Sequence, residues 1–523
     1  MSPFSQMDMN QPPQASFGLL APFVACHTNY SACAAHGTED RMSPYPSTDR
    51  GIGECAVGSL RLRGRQSAVV YLAPVGHTVV LGTAGTGKTV MAMLRSRYLS
   101  DPNTDNYGPV LLATYNNALV SYIRRQQGKD FAQVQVETYA RFARGYLNSR
   151  NLMPSNYNSI VKPQRKRVLI EAAVRTVASK YKPHKFFEND IDFFQDEIAW
   201  ISGMGIADLP SYLQVDRVGR GTGLNDGHRK VIWSILENYR SRRAAAGYLY
   251  DWNDIATAVR RELATDETPR IYKHIVIDEG QDLSPEMIRS LVDAVDPSGS
   301  VTFFGDYAQQ IYGQALSWRS CSLNIKKIEL FRDNYRNTAA IARLAIAMSK
   351  MPHFGGAKED LVEPIAPTAQ GSPPSVVACR NIQEEIRFVQ TQATALSQIN
   401  SVAVLARTWN DAKRAVAGLR AKPIKDDMNR WDDSPGIYYG TYHSAKGLEF
   451  DAVIMPFCGA TTVPLPEVVA AFGDEDSFAR EAKLLYVAVT RARSDLIITY
   501  SADHDVLTPL LPTEPGLYAM VTQ

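Results

Sequence analysis

Residues 82–89 read Gly-Thr-Ala-Gly-Thr-Gly-Lys-Thr, a pattern whose chemistry is the binding of a polyphosphate. Its glycines let backbone N–H groups approach anionic oxygens, and a helix that follows adds the positive end of its dipole. Lys88 has the charge and reach to bind the β- and γ-phosphates, while the Thr89 hydroxyl is a ligand for Mg²⁺. The sequence therefore predicts a phosphate-binding loop formed by Gly82, Thr83, Ala84, Gly85, Thr86, Gly87, Lys88 and Thr89.

A second segment, residues 274–282, is an apolar run that ends in acids: His-Ile-Val-Ile-Asp-Glu-Gly-Gln-Asp. A carboxylate at a strand tip beside a phosphate loop holds Mg²⁺, which is the role predicted for Asp278. The next carboxylate, Glu279, is placed to orient and deprotonate an attacking water as a general base. A single acid at a strand end is commonly a surface cap, but this acidic cluster after a phosphate loop favours catalysis.

Three polar residues further along the chain are candidates for sensing the γ-phosphate. Gln309 lies in a polar loop after an apolar run, and Arg336 and Arg491 each stand in an apolar, helix-like context. Two arginines that converge on a γ-phosphate neutralise the charge of the transition state. Taken alone, each arginine is more often part of a surface ion pair.

The elements that must position these residues are short apolar strands that alternate with amphipathic helices. This alternation is typical of an α/β fold with parallel sheets. A helix is predicted over Met91–Leu99, directly after the phosphate loop. The predicted strands are Thr78–Leu81, Val110–Thr114, His274–Asp278, Ser300–Gly305, Ser401–Ala406, Ala452–Pro456 and Leu496–Tyr500.

Composition limits the kind of partner. The 523 residues include 56 Lys and Arg against 54 Asp and Glu, so a surface for nucleic acid must be a local patch. Six cysteines without paired spacing indicate reduced thiols and a cytoplasmic protein. The sequence has no apolar run of membrane-spanning length and no secretory signal, so no membrane partner is expected.

The motifs occur in an order that resembles superfamily 1 DNA helicases of the UvrD/Rep/PcrA type. The resemblance covers residues 60–500 and places Gln66 before the loop, like the glutamine with which that family reads adenine. The matching segments are Ala113-Thr-Tyr-Asn116, Glu137-Thr-Tyr139, Asp278-Glu-Gly-Gln-Asp282, Gly305-Asp-Tyr-Ala-Gln309, Asn334-Tyr-Arg336, Thr441-Tyr-His-Ser-Ala-Lys-Gly-Leu-Glu-Phe450 and Leu485-Tyr-Val-Ala-Val-Thr-Arg-Ala492.

The resemblance implies two RecA-like P-loop NTPase domains that bind ATP and Mg²⁺ between them and single-stranded DNA across their tops. It assigns Gln66, Tyr335 and Glu449 to the nucleotide, with Tyr335 stacking on adenine. The residues it assigns to DNA are Thr114, Asn116, Thr138, Tyr139, Tyr312, Trp318, Thr441 and His443. For Tyr139, Tyr312 and Trp318 the alternative is an ordinary core aromatic. A basic cluster within residues 162–185 either tracks phosphates or is a solvated helix face.

The resemblance also predicts the domain organisation, with one departure from the family. Few residues separate the strand Ser401–Ala406 from Thr441, so the large accessory domain 2B that the family places there is essentially absent. The predicted parts are a disordered or loosely ordered leader (1–58), RecA-like domain 1A (59–145 and 263–325), a helical insertion similar to 1B (146–262), RecA-like domain 2A (326–510) and a C-terminal tail (511–523).

Two functions remain open from the sequence. The first is an ATP-dependent helicase that moves 3′ to 5′ on single-stranded DNA and unwinds a tailed duplex. The second is a nucleic-acid-sensing regulatory ATPase that controls a partner nuclease, or a repair or defence protein, without unwinding by itself. The compact architecture suits the second, and the complete motor motifs suit the first.

Overall fold

Two parallel β-sheets, each flanked by helices, form the framework of the protein in a computed structural model. The described residues belong to one compact unit, Ala56–Gln523. The structure describes residues 62, 64–83, 85–115, 117–126, 133–153, 159–217, 223–306, 321–332, 334, 337–354, 371–424, 434–503 and 505–523.

Strands and helices alternate along most of the described chain. The strands are β1 Gly76–Gly82, β2 Val110–Thr114, β3 Val134–Thr138, β4 Tyr272–Ile277, β5 Val295–Gly305, β6 Ile325–Phe331, β7 Ser375–Cys379, β8 Ser401–Ala406, β9 Ala421–Pro423, β10 Gly436–Thr441, β11 Phe450–Met455, β12 Ala492–Ser501 and β13 Ala519–Thr522. The helices are α1 Gln66–Val70, α2 Lys88–Ser100, α3 Asn117–Gln126, α4 Tyr139–Ser149, α5 Pro163–Ala178, α6 Ile191–Gly203, α7 Leu209–Gln214, α8 Asp226–Ala245, α9 Ile255–Leu263, α10 Pro285–Ala294, α11 Ala339–Ser349, α12 Ile382–Leu396, α13 Trp409–Ala415 and α14 Pro466–Val489.

The first sheet has the order β3-β2-β4-β5-β1-β6, and every described pair of neighbours is parallel. Its central strands are nearly continuous apolar runs because helices cover both faces, as β2 illustrates with five buried residues in a row. The strands carrying the phosphate loop and the acids, β1 and β4, lie on either side of β5. The carboxyl ends of parallel strands share one edge, so the loop and the acids meet there.

The second sheet has the order β13-β7-β12-β11-β8-β10-β9, again with parallel neighbours throughout the described part. One of its core clusters joins β11 and β12 to α11 and α14 through buried residues such as Leu485, Val487 and Ile498. This packing fixes the end of α14, and therefore Thr490 and Arg491, against the sheet.

Between α4 and α9, the helices α5 to α8 have a hydrophobic core of their own. Ile170, Phe194, Ile201, Ile232 and Tyr239 are among its fully buried members. In α8 the buried apolar residues recur at helical spacing, as Val231, Ile232, Ile235, Leu236 and Tyr239 show. Helices α5 to α8 form a separate helical lobe attached to the first sheet.

The predicted fold class, two parallel α/β domains with a helical insertion, is confirmed. Two domain boundaries differ from the prediction. The strand β6 pairs with β1, so residues 326–331 belong to the first sheet and not to the second domain. The predicted tail supplies β13, which pairs with β7 at the edge of the second sheet.

Between β8 and β10, residues 407–435, the described part holds only α13 and β9, so the described chain has no domain there. The predicted leader, residues 1–58, lies outside the described residues. No helix in the part of the chain that the structure describes is long and apolar enough to cross a membrane.

Candidate active site

The phosphate-binding loop follows β1 and leads into α2, as the sequence predicts. Lys88 is the first residue of α2, and its Nζ donates hydrogen bonds of 2.8 Å to the carbonyl oxygens of Gly82 and Thr83. Gly87 has a left-handed backbone with φ of 81°, and a Cβ there would lie 2.5 Å from Nε2 of Gln66. Only glycine meets both conditions, so the sequence fixes the shape of the loop.

A chain of contacts connects the loop to the acidic segment. Lys88 Nζ lies 3.4 Å from a carboxylate oxygen of Asp306, and both side chains are buried. The backbone N–H of Asp306 donates to Oε1 of Gln281 at 2.9 Å. The amide of Gln281 in turn donates to Glu279. The loop, the tip of β4 and the tip of β5 are thereby held in one network.

Next to this network lies Asp278, whose carboxylate oxygens lack hydrogen-bond donors in the part of the chain that the structure describes. It is fully buried, and among the described residues no hydrogen bond reaches either carboxylate oxygen. Burial raises the pKa of Asp278 to about 7, the neighbouring Glu279 charge adds to the rise, and Thr89 and Lys88 oppose it. A buried carboxylate with two free oxygens beside a threonine hydroxyl fits a Mg²⁺ site, for which oxygen atoms are the preferred ligands.

Glu279 differs from its neighbour because cations surround it. Burial by itself would raise its pKa, but the charges of Lys88, Lys446 and Arg491 outweigh that effect and hold the pKa of Glu279 below its usual range. Its backbone has a φ of 52°, a left-handed conformation that is uncommon for a residue with a side chain. An ionised carboxylate held in this way has the protonation state that a general base requires.

The second sheet supplies two of those cations. Lys446, in the loop after β10, forms a buried ion pair with Asp282 in the loop after β4. Arg491 at the end of α14 is 1 % exposed, and its guanidinium donates to the carbonyls of Val487 and Leu448 at 2.9 and 3.2 Å. Charged groups from both sheets thus face the same acidic segment.

The other residues predicted to bind nucleotide lie beside this network. Gln66 is 3 % exposed, and its Nε2 donates to the carbonyl of Thr86 at 2.8 Å. Glu449 directly precedes β11 of the second sheet, and Nε of Arg493 is 3.3 Å from its carboxylate. Four predicted residues of the ATP site, Ala84, Gln309, Tyr335 and Arg336, lie outside the described residues.

For the predicted DNA contacts near β2 and β3, the structure requires a correction. Tyr139 is 2 % exposed in the core under the first sheet, and its hydroxyl is 2.7 Å from that of Ser290. Its ring is therefore not available to stack on a base. Thr114 is also fully buried, and Thr138 caps α4 by accepting a hydrogen bond from the N–H of Arg141. Tyr139 and Thr138 thus have structural roles in this conformation, whereas the buried hydroxyl of Thr114 has no hydrogen-bond partner among the described residues.

The two predicted DNA contacts at and after the end of β10, Thr441 and His443, differ in their exposure. Thr441 is buried and exchanges hydrogen bonds with Ser444, which fixes the turn of the loop. His443 is partly exposed, and burial together with the charges of Arg407 and Lys446 lowers its pKa to about 4. A neutral His443 offers a hydrogen bond and no charge. Asn116, Tyr312 and Trp318 lie outside the described residues.

The basic cluster within residues 162–185 is divided by its ion pairs. Lys166 is buried, with Nζ 2.8 Å from Asp251, and Arg167 contacts Asp192. These two side chains hold the helical lobe together. Lys162, Arg165, Arg175, Lys180, Lys182 and Lys185 remain exposed.

Sequence reasoning gave no individual role to four residues that the structure places at the site: Gln281, Asp282, Asp306 and Lys446. Each of them stands inside a motif that the sequence had already singled out. Their positions in those motifs were a usable signal, but their pairing was not, because Asp282 and Lys446 are 164 residues apart.

The fold and site define a class: a nucleoside triphosphatase with a phosphate-binding loop on one parallel sheet and cations supplied by a second. Comparison with known families is consistent with this class. The UvrD/REP helicase N-terminal domain matches residues 62–335, and the UvrD-like helicase C-terminal domain matches residues 425–503. The first match alone covers more than half of the chain, so the protein belongs to the UvrD/REP family of helicases, which bind ATP and DNA.

Curated relatives agree with this assignment at low identity. The ATP-dependent DNA helicase UvrD2 of Mycobacterium tuberculosis is 24% identical over 556 residues, covering 83% of this chain and 78% of that protein. A probable DNA helicase of Mycoplasma pneumoniae is 24% identical over 458 residues, covering 81% and 80%. The ATP-dependent DNA helicase UvrD1 of Mycobacterium tuberculosis is 25% identical over 422 residues, covering 73% and 50%.

Proposed function

We propose that this protein is an ATP-driven motor that moves 3′ to 5′ along single-stranded DNA and separates a tailed duplex. The observation that carries the proposal is the electrostatic setting of Glu279. Its carboxylate lies on the first sheet, whereas two of the three cations that lower its pKa, Lys446 and Arg491, come from the second. Hydrolysis at Glu279 therefore depends on how closely the two sheets approach.

Each polar group has a role in this scheme. Lys88 would leave the carbonyls of Gly82 and Thr83 to bind the β- and γ-phosphates, which are stronger partners for an ammonium group. Glu279 would accept the proton of the attacking water. Arg491 would balance the charge that develops on the γ-phosphate, with Arg336 and Gln309 as further candidates.

The oxygens of Asp278 and Thr89 would hold Mg²⁺, which supplies positive charge to the phosphates when it is bound. Asp278 is suited to this role because its buried oxygens have no donor among the described residues. A cation would satisfy both of them and return the pKa of the carboxyl toward its ordinary value.

Movement follows from the ion pair that joins the sheets. Lys446 and Asp282 are both buried, so any change in the separation of the sheets must rearrange this pair. Nucleotide binding and release would thereby alternate the grip of the two domains on the strand. The 3′ to 5′ direction is taken from the resemblance to UvrD-type helicases, and the relatives' names support a DNA substrate.

Steady-state ATP hydrolysis with and without single-stranded DNA tests the proposal. We expect hydrolysis to require Mg²⁺, to rise severalfold with a long oligodeoxynucleotide, and to vanish in Lys88→Ala. Arg97, a half-buried residue in the last turn of the same helix, provides the control Arg97→Ala, which should hydrolyse ATP like the wild type. The proposal would be contradicted if the rate of hydrolysis did not change on addition of DNA, or if Lys88→Ala still hydrolysed ATP.

A further inference from the structure

A cavity of about 370 Å³ lies along α4 at the outer edge of the first sheet, away from the phosphate loop. Its walls come from β3, from α4 and from residues 266–272, the segment that precedes and begins β4. This volume is within the range of pockets that hold small ligands, about 300–1,000 Å³. No role in ATP hydrolysis accounts for it, because the catalytic carboxylates stand at the tip of β4 and not along α4.

Ring surfaces line much of the cavity. Phe142, Tyr146 and Tyr272 contribute to the wall, and the hydroxyls of the two tyrosines are already engaged. The Tyr146 hydroxyl donates to Asp266 at 2.8 Å, and the Tyr272 hydroxyl donates to Gln135 at 2.8 Å. What these tyrosines offer a ligand is therefore ring surface. Ile271, which is 69 % exposed, adds an apolar residue to the lining.

A glycine in the interior of a helix lines the cavity. Gly145 lies in the middle of α4, and a Cβ built at this position would meet nothing within 4 Å. Glycine inside a helix is less favourable than alanine. A larger side chain would fit the backbone and project into space that is now open. A large side chain at this position would therefore occupy the cavity, whereas alanine would not.

Arginines outnumber acids around the cavity. Glu137 is paired with Arg141 of the lining at 3.1 Å and with Arg124, which is not part of the lining, at 3.0 Å. The carboxylate of Asp266 is likewise 3.4 Å from Arg150 and 3.7 Å from Arg270. Arg141, Arg150 and Arg270 line the cavity against two acids, which leaves an excess of one positive charge. The ligand that suits this setting is a flat ring attached to an anionic group.

The helix also connects the cavity to the edge where DNA is expected. Thr138 at the end of β3 is in register with Thr114 at the end of β2, so α4 starts at the carboxyl edge of the sheet. From there α4 presents Arg141, Tyr146 and Arg150 to the cavity. Alternating arginine and aromatic side chains are typical of surfaces that bind single-stranded nucleic acid.

We infer that this cavity, the α4 pocket, is an additional binding site for one nucleotide of single-stranded DNA. Its base would stack on the rings of Tyr146 and Tyr272, and its phosphate would bind Arg141 and Arg150. The inference rests on the proposed function, because it adds a contact beyond the track across the strand tips. Stacking on these two rings would take the place of the stacking predicted for Tyr139, whose ring is buried.

Binding of fluorescently labelled oligothymidylates of about 8 to about 30 nucleotides to the full chain tests the α4 pocket. Gly145→Trp fills the cavity, and Gly145→Ala is the matched control that leaves it open. We expect wild type and Gly145→Ala to gain affinity with length until the strand reaches the pocket. Gly145→Trp should reach its plateau at a shorter length and bind the longest strand at least about fivefold more weakly.

Equal affinity of Gly145→Trp and wild type at every length would overturn the inference. Absence of binding by the wild type at any length would instead remove the proposed function. Should the tryptophan disturb folding, seen as loss of hydrolysis without DNA, Arg150→Gln decides. For Arg150→Gln, the slope of log affinity against log salt concentration should be less steep than that of the wild type by about one with long strands. With short strands the two slopes should be equal. An unchanged slope with long strands would refute the α4 pocket.

Discussion

Replacing Asp278 by asparagine should stabilise the protein in the absence of Mg²⁺ and nucleotide while it removes hydrolysis. The carboxyl of Asp278 titrates near 3.8 in an unfolded chain but near 7 in the folded protein, because burial disfavours its charge. Between these two pH values the unfolded state is ionised and the folded state is not. Rising pH therefore lowers the free energy of unfolding across this window, and the loss is complete above about pH 7.

The size of this effect follows from the shift. At 1.36 kcal/mol per pKa unit, the shift of about three units corresponds to about 4 kcal/mol above pH 7. The asparagine amide would itself be buried without partners, which costs about 1–3 kcal/mol. The neutral carboxyl of the wild type is likewise buried without partners among the described residues, so this cost is similar in the two proteins. Their stabilities should therefore be close at pH 4, and the net expectation for Asp278→Asn at pH 8 is a gain of up to about 4 kcal/mol.

Chemical denaturation of wild type and Asp278→Asn from pH 4 to pH 8 measures this difference. Glu267→Gln, which neutralises an exposed carboxylate, is the control and should show no comparable pH-dependent gain. Mg²⁺ with ATP should raise the stability of the wild type but much less that of Asp278→Asn. A variant that is less stable than the wild type at pH 8, or a difference independent of pH, would refute the reasoning.

Three further substitutions test separate parts of the account. Glu279→Gln should bind ATP but hydrolyse it about 10²–10⁴-fold more slowly, in single-turnover assays, because the positioned base is lost; a normal rate would exclude Glu279 as the base. Lys446→Met should raise the pKa of Glu279, so the acid limb of the pH dependence of kcat should move to higher pH; an unmoved limb would mean that Lys446 does not act on Glu279. Tyr139→Phe should lower the free energy of unfolding by about 1 kcal/mol through the lost hydrogen bond to Ser290 and leave DNA affinity unchanged; weaker DNA binding would restore Tyr139 to the strand track.

The fold was predictable where a strand is both apolar and continuous. The predicted Val110–Thr114 and Ser401–Ala406 coincide with β2 and β8, because central strands of a parallel sheet are buried on both faces. Six of the described strands were missed: β3, β6, β7, β9, β10 and β13. In β3 the exposed Gln135 and the acidic Glu137 interrupt the apolar run.

The sheet to which a segment belongs was also hidden, as β6 shows, which was not predicted as a strand. The chain order places β6 next to the second domain, but its hydrogen-bonding partner is β1, far back in the sequence. The same limit applies to the site. The phosphate loop and Asp278 follow from local motifs, whereas the pairing of Asp282 with Lys446 is a long-range contact that a single sequence does not reveal.

The burial of individual side chains was the other property that the sequence did not reveal. A motif identifies the neighbourhood of Tyr139 but not the face of α4 that packs on the sheet, and its ring turned out to lie in the core. The role of Gly145 was invisible for the same reason, since only the folded chain shows the cavity that the glycine leaves open.

The central claim is that this chain couples ATP hydrolysis to unwinding. Its most direct test is displacement of a labelled strand from a duplex with a 3′ single-stranded tail, with a 5′-tailed duplex and Lys88→Ala as controls. The account predicts ATP-dependent displacement by the wild type on the 3′-tailed duplex alone. DNA-stimulated hydrolysis without displacement on either duplex would contradict it and would favour a regulatory ATPase that acts through a partner.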